Sequence, residues 1–150
     1  PFALAVLPLI WLGAVFAPSL RRLRSSGAAD AERVAIAQAD KRLANAKSAL
    51  EARDARKFHA ALAAALLALL AARLHEPVIG LTQTELGALF ARRGLPDALG
   101  TQILKVLSDC AFARFSSSAV SDADMQQRLA QVENLWPQLT EFSPQPLENA

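Results

Sequence analysis

Chemistry in this chain would have to be built from two histidines, one cysteine and the short run Asp109, Cys110, Arg114. His59 and His75 stand sixteen residues apart, and neither has a cysteine or carboxylate cluster beside it. Zinc needs about four nitrogen, sulfur or oxygen ligands at recurring close spacing, so these histidines define no metal site. Cys110 would act as a nucleophile only with a base in reach and a lowered pKa. The pattern around it reads instead as the edge of a core beside a salt bridge. A single cysteine forms no internal disulfide, so Cys110 is expected to be a small buried hydrophobe. There is no Gly-rich phosphate loop, and the carboxylates fall on helix surfaces or caps. The sequence is therefore read as non-enzymatic, with no metal and no cofactor.

Any chemistry would need elements to position it, and those elements are helices. Hydrophobic residues make up 53% of the 150, much of that alanine, with no Tyr and few Val, Ile or Thr outside helical patterns. The expected class is all-α: about five helices around an Ala/Leu-rich central helix, preceded by a transmembrane helix. The central element is Phe58–Ala72, bracketed by Lys57 and Arg73. It has no polar face, so it must be buried. At this length and alanine content a protein core fits better than a bilayer. Leu66 and Leu70 on it should be buried.

The flanking helices follow from periodicity and caps. Ile36, Ala39, Leu43, Ala46 and Leu50 form a narrow apolar stripe on a helix over 31–52, capped by Asp30. Arg53 and Asp54 mark a tight turn, with Asp54 capping the central helix. Thr82-Gln83-Thr84-Glu85 is a capping box opening a short helix that turns Leu86, Leu89 and Phe90 inward. Gly94 ends that helix, and Pro96 suits the first turn of the next. Leu99, Ile103, Val106, Leu107 and Cys110 then lie on one side, with Phe112 and Phe115 spaced to close the bottom of the core. Ser121 caps a last helix carrying Met125, Leu129, Val132 and Trp136, and Pro137 is expected to stop it. Two short helices around a Gly turn suggest a helix-turn-helix. The second offers only Gln102 and Lys105 to DNA, opposed by Asp97 and Asp109, so nucleic acid is not expected as a partner.

The first 17 residues carry no charge and would span about 25 Å as a helix. Arg21, Arg22 and Arg24 follow the apolar run, whereas a signal peptide carries its charge before it. The trailing arginines place the residues beyond Ser25 in the cytoplasm and mark the membrane interface. The expected organisation is a transmembrane helix over 1–19, truncated at its start, a basic juxtamembrane linker over 20–29, a helical bundle over 30–142 and a disordered tail over 143–150. Charge is lopsided: residues 21–57 hold ten Lys/Arg against five Asp/Glu, and residues 121–150 hold Arg128 against five Asp/Glu. A partner surface is expected on the basic helix and turn, through Lys41, Arg42, Arg53, Arg56 and Lys57.

Several stretches together resemble a family. They are Asp54-Ala55-Arg56-Lys57-Phe58, Leu81-Thr82-Gln83-Thr84-Glu85-Leu86, Arg93-Gly94-Leu95-Pro96 and Cys110-Ala111-Phe112-Ala113-Arg114-Phe115, behind an apolar span with trailing arginines. In this order they resemble the C-terminal end of BatD-type oxygen-tolerance proteins. Arg53 departs from the glycine that family members often carry before the aspartate. The resemblance implies a larger parent with extracytoplasmic β-sandwich domains, a single span in the bacterial inner membrane and a small cytoplasmic helical domain. It implies adaptor or scaffold work beside MoxR-type AAA+ ATPases and von Willebrand A membrane proteins in stress or oxygen tolerance. A regulatory helical domain that binds a small ligand and signals across the membrane is the alternative. The topology is checked by paired fusions after residue 150: a fluorescent protein should fluoresce and a periplasmic phosphatase should be inactive. An active phosphatase would reverse the orientation.

Overall fold

The computed structural model describes residues 7–116 and 120–147, with side chains from Gly27 onward. Five helices lie among the described residues: α1 Leu7–Glu51, α2 Ala55–Leu74, α3 Gln83–Arg93, α4 Asp97–Phe115 and α5 Asp122–Glu141. No strand occurs among them, so the all-α class holds. The chain divides into two compact units, Pro1–Val34 and Ala35–Ala150.

The second unit is organised around α2. Its Phe58, Leu62, Ala65, Leu66, Leu69 and Leu70 are completely buried. α2 packs on α4 and α5, and α3 packs on α4. The α1 stripe Ala39, Leu43, Ala46 and Ala49 joins the same core, with Ile36 and Leu50 partly buried against it. By length and composition α2 is apolar enough to cross a membrane. Its leucines instead meet Ile103, Val106, Met125, Val132, Leu135 and Leu139 in one cluster.

The turns follow the local chemistry. Asp54 accepts from the amide of Lys57 at 3.0 Å and so caps α2. Arg53 adopts φ 56, a left-handed conformation that favours glycine. Its amide bonds Leu50 O and the amide of Asp54 bonds Ala49 O, both at 3.0 Å, the paired pattern that closes a helix on a left-handed residue. Asp54 thus ends α1 and starts α2 with no linker between them. Gly94 repeats the pattern at φ 74, with Leu95 N on Phe90 O. A Cβ there would also lie 2.6 Å from the Gln145 side chain. Capping boxes at Thr82/Glu85 and Ser121/Asp124 open α3 and α5.

Five expectations need correction. The 20–29 linker is helical, and Asp30 caps nothing because α1 runs unbroken from Leu7 to Glu51. Gly27 alone costs a helix about 1 kcal/mol, and Ala28 and Ala29 favour continuation. The second compact unit accordingly begins at Ala35 rather than residue 30. Pro96 is the residue before α4, not inside its first turn. Pro137 does not stop α5, which continues to Glu141. It has no amide for the Glu133 carbonyl, but Leu135 and Leu139 on either side are both buried, and that packing outweighs the lost bond. Residues 143–147 are not a free tail: Gln145 N donates to Arg93 O at 2.9 Å, and Arg93 Nη1 donates to Gln145 O at 3.1 Å. Arg73 adds a hydrogen bond to Phe142 O. The remainder of the expected tail, 148–150, and most of the Ser116–Ser118 loop lie outside the described residues, as do residues 1–6 of the expected membrane span.

Leu66→Asp should unfold residues 35–150, because it places an unpaired charge at a position with no exposure, at a cost of several kcal/mol. Circular dichroism should show loss of the cooperative thermal transition. A retained transition at the same midpoint would remove α2 from the centre of the fold.

Candidate interaction surface

The expected closure of the core by Phe112 and Phe115 does not occur. Phe112 is 75% exposed and Phe115 is 85% exposed. The α4 stripe ends at Cys110, and Phe112 and Phe115 stand about 200° and 140° round the helix from it, off the buried side. Phe115 instead lines an open groove with Arg56, Lys57, Ala60 and Arg114, with a volume of about 480 Å³. The Arg114 guanidinium lies over the Phe115 ring, 5.7 Å from its centroid, a cation–π contact that holds both side chains at the surface. No acidic residue lines this groove.

Arg56 and Lys57 sit in the first turn of α2, which contains no acidic residue. Cations there oppose the helix macrodipole, a cost of about 0.3–1 kcal/mol for an exposed charge at low salt. α3 and α5 open with Glu85 and with Asp122 and Asp124, as the dipole prefers. Lys57 Nζ stands 3.9 Å from Asp54 Oδ2, a partial offset. A local preference broken without a packing gain marks a position held for something other than stability.

The other expected contact residues are distributed differently. Arg53 pairs with Asp122 across to α5, Nε to Oδ2 at 3.3 Å. Lys47, also on α1, pairs with Glu133 at 2.6 Å, and Trp136 Nε1 donates to Asp40 at 2.9 Å. The basic helix therefore spends part of its charge on the acidic one. Lys41 and Arg42 are exposed but lie about 18 Å back along α1 from Arg53 and do not line the groove. Arg114 and Phe115 join Arg56 and Lys57. The expectation that Phe112 and Phe115 close the core rests on their apolar character; helical periodicity sets them about 200° and 140° round α4 from Cys110, and that is the signal for their exposure. The side chains of Arg21, Arg22 and Arg24 lie outside the described residues.

A second cluster lies inside, where Arg128 of α5 reaches between α2 and α4. Its Nη1 is 3.7 Å from Asp109 Oδ2, and Asp109 also accepts from Lys105 Nζ at 3.0 Å. Asp109 therefore pairs with these two groups and not with Arg114. Burial pushes the Cys110 thiol up to about 11, although Arg128 beside it pulls the other way, so at neutral pH it is a protonated thiol. His59 is 1% exposed and stands edge-on to Phe58. Its Nδ1 lies 2.7 Å from Ala55 O; a carbonyl only accepts, so Nδ1 carries the hydrogen. Nε2 is buried without a hydrogen-bond partner. Burial holds the His59 pKa below 6.5, and the nearby Arg128 charge adds to this. His75 is exposed in the left-handed residue that ends α2. Among the described residues no three His, Cys, Asp or Glu side chains converge as a metal site would need.

No family model, curated protein or solved structure matches the chain.

The neutral state of His59 makes stability depend on pH. A folded pKa below 6.5 means the unfolded chain takes up the proton first. Stability is therefore full above 6.5 and falls as pH drops towards the folded pKa, by up to about 1.4 kcal/mol per pH unit, and His59 contributes no further loss below it. Glu85 and Asp124, held low by their bonds to Thr82 and Ser121, lose their contribution only below about pH 4.5. Thermal midpoints measured at pH 7.5 and 5.5 should differ for the natural chain and converge in His59→Leu. An unchanged difference in the variant would assign the effect to another group.

Proposed function

We propose that this chain is a non-enzymatic, membrane-anchored adaptor of BatD type, whose helical bundle binds a cytoplasmic protein partner. The observation that carries the reading is the exposure of Phe115 beside Arg56, Lys57 and Arg114, with Phe112 also in water near the end of α4. Aromatic and arginine side chains are enriched at protein interfaces. A large aromatic left in water among cations fits the free form of such a surface. The motif resemblance supplies the partner class: a MoxR-type AAA+ ATPase or a von Willebrand A membrane protein. The apolar stretch before Arg21, Arg22 and Arg24 supplies the anchoring in the bacterial inner membrane.

The sensory reading has less to rest on. Gln102, Lys105, Gln131 and Asn134 line a groove between α4 and α5 of about 140 Å³, below the usual range of about 300–1,000 Å³ for a small-molecule site. A groove of about 390 Å³ lies between α1 and α5, but its two opposite charges, Lys47 and Glu133, pair with each other.

The test is co-purification of the intact parent from solubilised membranes with the ATPase and the von Willebrand A protein encoded beside it. One of the two should be retained at a fixed ratio, and the purified chain should show no hydrolase or transferase turnover. Retention of neither partner, or turnover abolished by a point substitution, would overturn the adaptor reading.

A further inference from the structure

We propose that the groove between the first turn of α2 and the last turn of α4 is a docking site for an acidic segment of a partner protein that carries a large apolar side chain. This deepens the adaptor reading and rests on it. Three cations, Arg56, Lys57 and Arg114, surround one exposed aromatic, Phe115, over a floor formed by Ala60. With no carboxylate in the lining, a negative ligand meets no opposing charge. The groove's volume, about 480 Å³, is room for a few side chains and too little for a folded domain, so the occupant is a segment. Carboxylates on it would bond the guanidinium of Arg114 and the heads of Arg56 and Lys57. A leucine or aromatic between them would cover Phe115 and leave Arg114 sandwiched, which strengthens both contacts by excluding water. The α2 N-terminal amides are already capped by Asp54, so the attraction for an acidic segment comes from the three cationic side chains; a bound anion would add to the offset that Asp54 gives Lys57.

An anionic membrane would also attract exposed phenylalanines and cations. Shape disfavours it: a concave site is a poorer fit to a flat bilayer than to a peptide.

The probe is a fluorescein-labelled peptide, Glu-Glu-Leu-Phe-Glu-Glu-Leu, titrated by anisotropy against the full chain in zwitterionic detergent at low salt. Saturable binding is expected, weakened at least tenfold by Arg114→Glu or by Arg56→Glu with Lys57→Glu, and at least fivefold by Phe115→Ser. Each of these side chains is exposed, so the fold should stay intact, and Arg56→Glu with Lys57→Glu, which suits the α2 dipole, should not lower the thermal midpoint. Lys41→Glu with Arg42→Glu, off the groove but equal in charge change, should leave binding within twofold. Equal weakening by this control pair would reduce the effect to net charge and overturn the site. No saturable binding, or binding untouched by Phe115→Ser and Arg114→Glu, would overturn it as well. So would groove-dependent sedimentation with phosphatidylserine vesicles in the absence of peptide binding, which would assign the surface to lipid. Co-purification of the partner with the Arg114→Glu parent would remove this groove while leaving the adaptor reading in place.

Discussion

An Ala/Leu helix without a polar face is stable in water only if other elements cover its large side chains, and α2 imposes that demand on the bundle: its leucines are mostly buried, while alanines such as Ala60, Ala61 and Ala64 are only partly covered. Its neighbours supply cover in order of their own apolar content. α4 and α5 give large side chains such as Ile103, Val106, Leu135 and Leu139, and α1 gives mainly alanines and Leu43. Small residues on α1 permit close approach; large ones on α5 fill the remaining space. Gly94 and Pro137 act around this core. Gly94 turns the chain where a side chain would strike Gln145, and Pro137 is absorbed because Leu135 and Leu139 still reach the interior.

Polar groups caught near the core are handled by position. His59 sits on the covered side of α2, so burial favours its neutral form, and it satisfies one nitrogen on the carbonyl of Ala55, four residues back. Arg128 enters from α5, where Asp109 faces its guanidinium and the side chain remains partly in contact with solvent. Arg93 is the more deeply buried arginine. It is supported by Glu76 at 3.5 Å and by the Gln145 carbonyl, so the segment after α5 serves as a hydrogen-bond partner for an otherwise costly side chain. These contacts orient the elements more than they stabilise them, since partly exposed ion pairs contribute about 0–1 kcal/mol.

The charge asymmetry acquires a physical meaning in the same way. Basic α1 and acidic α5 lie along one another, linked by Lys47 to Glu133, Arg53 to Asp122 and Trp136 to Asp40. Arg56, Lys57 and Arg114 gather instead around Phe115, and of these Lys57 has an acidic neighbour in Asp54.

The sequence by itself determined the helices, their caps and most of the core. Periodicity of 3.6 placed Leu86, Leu89, Phe90, Ile103, Val106, Met125 and Val132 inside, and side-chain chemistry placed the caps Asp54, Thr82 and Ser121, because both signals are local. It also showed the two charge blocks. Phe112 and Phe115 share the apolar character of the stripe before them, but the same periodicity sets them about 200° and 140° round α4 from Cys110, and both are in water. Tertiary structure decided two things that no local signal contains. α5 passes through Pro137 because packing beyond it outweighs one missing hydrogen bond. Which cations stay free depends on which acids face them across the bundle. Propensity and spacing specify how a segment folds; what faces that segment across the bundle sets what it presents to a partner.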